Sequence, residues 1–63
     1  MITNEELADK CIAYRAEHNL TMKQLANMVG VSVITIFNIE NQTHKPLATT
    51  AIKILKIINK QGD

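Results

Sequence analysis

The sequence predicts an all-α domain of four helices, on three observations. Two capping boxes, Thr3 with Glu6 and Thr21 with Gln24, each open an apolar run. A glycine, Gly30, closes the second of these runs. The chain's single proline, Pro46, sets off a last apolar run rich in isoleucine. At 63 residues the chain is read as one domain, numbered 1–63. A domain of that size buries only about 60% of its unfolded surface. It stands on local helices, or on a partner that covers more of its apolar surface.

Helix one starts after Thr3, with Ile2 and Leu7 placed to close a hydrophobic staple. Leu7, Cys11, Tyr14 and His18 form its stripe, with Ala8, Ile12 and Arg15 beside them. Asn19 is its stop, because Asn tolerates the left-handed conformation. Helix two starts after Thr21 with a second staple, Leu20 on Leu25, and presents Leu25, Ala26, Met28 and Val29 as its apolar face. Helix three takes Ser32 as its N-cap. Its interior, "VITIFNIEN", is rich in β-branched residues, and propensity alone slightly favours a strand. The spacing of Ile36 and Ile39 by three and the polar "ENQTHK" that follows favour a helix. Helix four is expected from Leu47 or Ala48 to Asn59, with 60–63 a frayed tail. Its apolar residues cover more than one stripe, more than a small core needs.

Composition narrows the function classes. One cysteine allows neither an internal disulfide nor a zinc site, so Cys11 reads as a small core residue in a reducing cytoplasm. The start of the chain reads as lacking a signal peptide, and no stretch approaches the ~20 apolar residues of a membrane span. Two aromatics, Tyr14 and Phe37, do not make a stacking platform for single strands. No nucleophile stands at a recognisable spacing from a base, and His18 and His44 lie in different elements without a carboxylate motif. Neither an enzyme, a metal site nor a cofactor is expected.

Helix two, a turn with one glycine and helix three, about 21–41, form the sequence pattern of a helix-turn-helix. In a window counted from Met22, Ala26 is fifth and small, and Gly30 is ninth, in the turn. Leu25, Val29, Val31, Ile36 and Ile39 fall at the inward positions. Here the chain resembles the Cro and phage-repressor class of helix-turn-helix proteins, often called Xre-like. "LTMKQLANMVGVS" is similar to that family's second helix and turn, and "IFNIENQTHKP" to its third helix and loop. The resemblance covers roughly residues 7 to 58. It implies a lambda-repressor-like four-helix domain with room for a short fifth turn. It also implies a DNA-binding regulator of phage or mobile-element type, dimeric on a palindromic operator and cytoplasmic in a bacterium or a phage-infected host.

By that resemblance helix three, about 33–41, enters the major groove with Ser32, Val33, Ile34, Thr35 and Asn38 facing it. Asn41, Gln42, Thr43 and Lys45 would line the phosphates along the loop, and Met22 and Lys23 would lie over the backbone. Arg15 and Glu40 match an internal salt bridge of the family, a structural pair outside the DNA-contact set.

Three positions depart from the pattern. Met22 stands where the family often has a phosphate-binding Gln, and a thioether makes no strong hydrogen bond. Val33 and Ile34 stand where polar side chains usually read bases, and apolar groups read only the thymine methyl. Phe37 falls on the outer face, so Val33, Ile34 and Phe37 form an exposed apolar stripe, the kind of patch that marks a contact. Two readings follow: weak direct readout of T-rich DNA assisted by Asn38, or a small antirepressor-like modulator whose stripe grips a protein such as a repressor. Only Lys23 and Lys45 are cationic between 21 and 46, so a shallow salt dependence is expected. Lys10, Lys53, Lys56 and Lys60 lie on other helices. In helix four, Ala51, Leu55 and Ile58 suit the core. Part of the set Ile52, Ile54 and Ile57 is expected to pair across a two-fold as a homodimer face.

Overall fold

A computed structural model describes the backbone of residues 2–62 and the side chains through Asn59. Four helices follow in order: α1 Asn4–His18, α2 Met22–Val29, α3 Val33–Asn41 and α4 Ala48–Gly62. Among the described residues there is no strand and no fifth turn. α4 runs past the expected stop at Asn59. Of the expected frayed tail, 60–62 continue that helix, while their side chains and Asp63 lie outside the described residues.

The helix starts are set locally. The Thr3 and Thr21 hydroxyl oxygens accept from the Glu6 and Gln24 N–H groups at 3.0 Å each, and the Glu6 carboxylate and Gln24 amide oxygen accept in return from the Thr3 and Thr21 N–H groups. Ser32 Oγ accepts from the Thr35 N–H at 3.2 Å. The helix ends share one device. Asn19, Gly30 and Gln42 take the left-handed conformation with φ of 55°, 88° and 56°. In each case the next residue's N–H reaches back five positions: Leu20 to Arg15 O, Val31 to Ala26 O, Thr43 to Asn38 O. α2 and α3, of 8 and 9 residues, are too short to persist alone, so caps and packing together hold them.

Leu7, Cys11 and Tyr14 of α1, Leu25, Ala26 and Val29 of α2, Ile36 and Ile39 of α3 and Ile54 of α4 make one core. Packing settles α3 as a helix despite its β-branched residues, because only the helical spacing puts both Ile36 and Ile39 inside. Burial also pushes the Cys11 thiol up to about 11, with the nearby Glu40 carboxylate adding to the rise, so at neutral pH the thiol behaves as a small apolar group. Ile12 and Met28 are exposed rather than part of the buried faces of α1 and α2.

The expected rotation of α4 needs a correction. Ile54 is fully buried and is therefore withdrawn from the dimer face. Ala51, Ile54, Leu55 and Ile58 follow the i, i+3, i+4, i+7 spacing of one helix face, and Ile54 sits at its centre. Full burial of such a side chain contributes about 1.5–3 kcal/mol, which settles the rotation in favour of Ile54. Ile57 also packs against the core, and Ile52 alone of the expected trio stands out in solvent.

Arg15 ties α1 to α3. Its Nε and Nη2 donate to the two carboxylate oxygens of Glu40, each at 2.7 Å, and its Nη1 donates to Leu20 O at 3.1 Å. The Glu40 side chain is only 3% exposed and the Arg15 side chain 22%. The hydrogen bonds to Glu40 raise the Arg15 pKa further above its ordinary value, keeping the guanidinium charged. The pair is asymmetric: removal of Arg15 strands a buried carboxylate, whereas removal of the Glu40 charge leaves an arginine that reaches water. Arg15→Met is expected to cost about 3 kcal/mol, the low end for breaking a buried pair from one side. Glu40→Gln is expected to cost about 1 kcal/mol. Urea unfolding of both variants measures the difference, and equal losses would contradict the asymmetry.

Candidate nucleic-acid interface

Between α2 and α3 the chain turns through 112°, carried by Gly30, Val31 and Ser32. That lies within the ~90–120° range of helix-turn-helix pairs. The Gly30 φ of 88° sets the requirement for glycine, since a Cβ there would meet no atom within 4 Å. Ala26, buried where the two helices approach, leaves room for Ile36.

With Ile36, Ile39 and Glu40 turned inward, α3 presents its other side to solvent. Val33, Ile34 and Phe37 are exposed there, Ile34 to 66%. Ser32 is exposed, Thr35 half-buried, and their hydroxyls lie 3.0 Å apart within the cap. Asn41 is exposed, but one of its amide hydrogens donates back to Phe37 O at 2.8 Å. Gln42, Thr43, His44 and Lys45 are exposed along the loop, and Lys23 is exposed at the start of α2. Met22 is half-buried, with its side chain packed against the core at the start of α2.

Sequence reasoning missed one contact. The Thr43 hydroxyl donates to Asn38 Oδ1 at 2.8 Å, so a residue expected at phosphates and one expected at a base are bonded to each other. The signal is faint: the polar run gives no warning that Gln42 turns left-handed, and only that turn folds residue 43 over residue 38.

Charge on this side is sparse. Lys23 and Lys45 are its cations. The N–H groups of Met22 and Lys23 begin a helix and have no intrahelical acceptor, which leaves them as donors at the helix's positive end. Among the described residues no cluster of three or more His, Cys, Asp or Glu could hold a metal ion. Among the described residues no single helix is long and apolar enough to cross a membrane.

The apolar stripe is not needed to hold the fold. Ile34→Ser is expected to shift unfolding by less than about 0.5 kcal/mol, as exposed substitutions do. A urea titration checks this, and a loss of several times that size would show the stripe to be part of the core.

A model of the helix-turn-helix family matches residues 12–63. An uncharacterized helix-turn-helix-type transcriptional regulator of Methanocaldococcus jannaschii is 44% identical over 50 residues, covering 79% of this chain and 76% of the relative. No solved structure matches the chain at a comparable level. With the match spanning both helices of the capped pair and most of the chain, the protein belongs to the Cro/C1-type helix-turn-helix family of DNA-binding transcription regulators.

Proposed function

We propose that this chain binds an operator in double-stranded DNA as a Cro- or repressor-type regulator, with α3 in the major groove and a second copy across a two-fold. It would act where the DNA is, in the cytoplasm of a bacterium or of a phage-infected cell. The observation that carries the reading is the outward side of α3, held from within by Ile36, Ile39 and Glu40 and leaving Val33, Ile34 and Phe37 exposed. Val33 and Ile34 are suited to thymine methyls, Asn38 to a hydrogen bond with a base edge, and Ser32 and Thr35 to the entrance of the groove. Lys23, Lys45, Asn41, Gln42 and the N–H groups that open α2 are suited to phosphates. Thr43 leaves that group, because its hydroxyl proton is engaged by Asn38.

An apolar groove of about 440 Å³ between the start of α1 and the start of α4 is suited to the two-fold contact. Ile2, Leu7, Pro46, Ala51, Ile52 and Leu55 line it. Within that lining Ile52 is 52% exposed, and the neighbouring Leu47 is 73% exposed. An isologous contact sets this groove and these apolar side chains against the same surface of the other copy.

A second reading is favoured by the exposed stripe Val33, Ile34 and Phe37: the chain would be a modulator gripping a protein such as a repressor. Selection from a random duplex pool at low salt separates the two. Operator binding is expected to enrich a two-fold motif with T-rich half-sites ~34 Å apart. The slope of log K against log salt is expected to be about −2 per subunit, from Lys23 and Lys45. No enriched sequence with folded protein would move the function to the protein partner. Sedimentation tests the groove separately: the parent is expected to run as a dimer at micromolar concentration and Ile52→Lys as a monomer. Equal masses would remove this contact.

A further inference from the structure

We infer that Thr43 is a positioning residue that makes Asn38 a donor-only reader, so that the half-site carries a keto base, guanine or thymine, opposite Asn38. The inference rests on the operator-binding reading above. Gln42, at φ 56°, reverses the chain at the end of α3. The Thr43 N–H then closes on Asn38 O at 3.1 Å, which brings the two side chains together. The Thr43 hydroxyl donates to Asn38 Oδ1 at 2.8 Å, whereas the alternative acceptor, Asn38 O, lies 3.5 Å away. The amide oxygen is thus held toward the loop. Among the described residues Asn38 Nδ2 donates to no partner, and the side chain is half-buried with its remaining surface on the outward side of α3.

Asparagine reads adenine by accepting from N6 while donating to N7, which needs both amide atoms at the base edge. With the oxygen engaged, two N–H donors remain. Guanine offers them N7 and O6, and thymine offers O4. Cytosine presents only its exocyclic amine, and adenine keeps a single acceptor, N7, beside an amine that the turned-away oxygen no longer accepts from, so both are weaker partners than a keto base. The usual pairing of an asparagine is with adenine, and the contact with Thr43 disfavours it here.

The test is duplex selection with four proteins: the parent, Asn38→Ala, Thr43→Val and Thr43→Ser. Asn38→Ala marks the position that Asn38 reads, because discrimination there is lost. At that position the parent is expected to prefer a keto base over adenine roughly tenfold. Thr43→Val frees the amide oxygen and is expected to raise adenine to parity or above, while Thr43→Ser restores the keto preference and the half-site spacing stays constant. Adenine in the parent motif, or an unchanged preference in Thr43→Val, overturns the inference while leaving operator binding intact. If no protein enriches any sequence, the operator reading has failed and this inference falls with it. Side-chain scalar couplings in the free protein give an independent readout. One Asn38 rotamer is expected in the parent and in Thr43→Ser, with averaging in Thr43→Val; averaging in all three overturns the positioning role.

Discussion

The bidentate pair between Arg15 and Glu40 is the constraint on which the rest of the structure depends. A carboxylate 3% exposed is stable only with its oxygens occupied, and both 2.7 Å contacts come from one guanidinium. The third contact, to Leu20 O, reaches the link between α1 and α2. One side chain therefore joins the first helix, the approach to the second and the end of the third. It also sets how α3 is turned about its own axis. With Glu40 inside, Ile36 and Ile39 point inward as well, and Val33, Ile34 and Phe37 are left in water. The surface open to a partner is the remainder after the core has taken its share of a nine-residue helix.

The caps do a second job at that surface. Three helices end on a left-handed residue followed by a bond back five positions. At Gly30 the device turns the chain into α3, and at Gln42 it places Thr43 on Asn38. Gln is a less comfortable left-handed residue than Gly or Asn, and here the turn is closed by the Gln42 and Thr43 N–H groups, which donate to Ile39 O and Asn38 O. A feature that terminates a helix thereby brings the Thr43 hydroxyl onto the Asn38 amide on the exposed side of α3.

A face with three apolar side chains and few cations distributes its work differently from a strongly basic one. Non-specific attraction to phosphate is weak when two lysines supply most of it. Affinity then depends on shape, on backbone donors at a helix start and on desolvation of methyl groups, all of which need close contact. Such a protein gains little from DNA that fits poorly, and pairing of two copies multiplies the discrimination of each.

Much of this fold is legible in the sequence because its determinants are local. Thr3 with Glu6, Thr21 with Gln24, Ser32 and Gly30 each act within a few residues, so spacing alone reveals them. Leu25, Ala26, Ile36 and Ile39 follow from helical periodicity once those starts are known. Tertiary structure decided what local spacing leaves degenerate. In α4 several rotations bury some apolar residues, and only the fit against α1 and α2 selects Ile54 over Ile52. Met22 and Thr43 look free in the sequence, yet one packs on the core and the other bonds Asn38, because their partners are set by how the chain folds back. The sequence by itself determined where the helices begin, where they stop and which family they form. The rotation of each helix, and with it the chemistry of the exposed face, was decided by competition among non-local contacts for one small core.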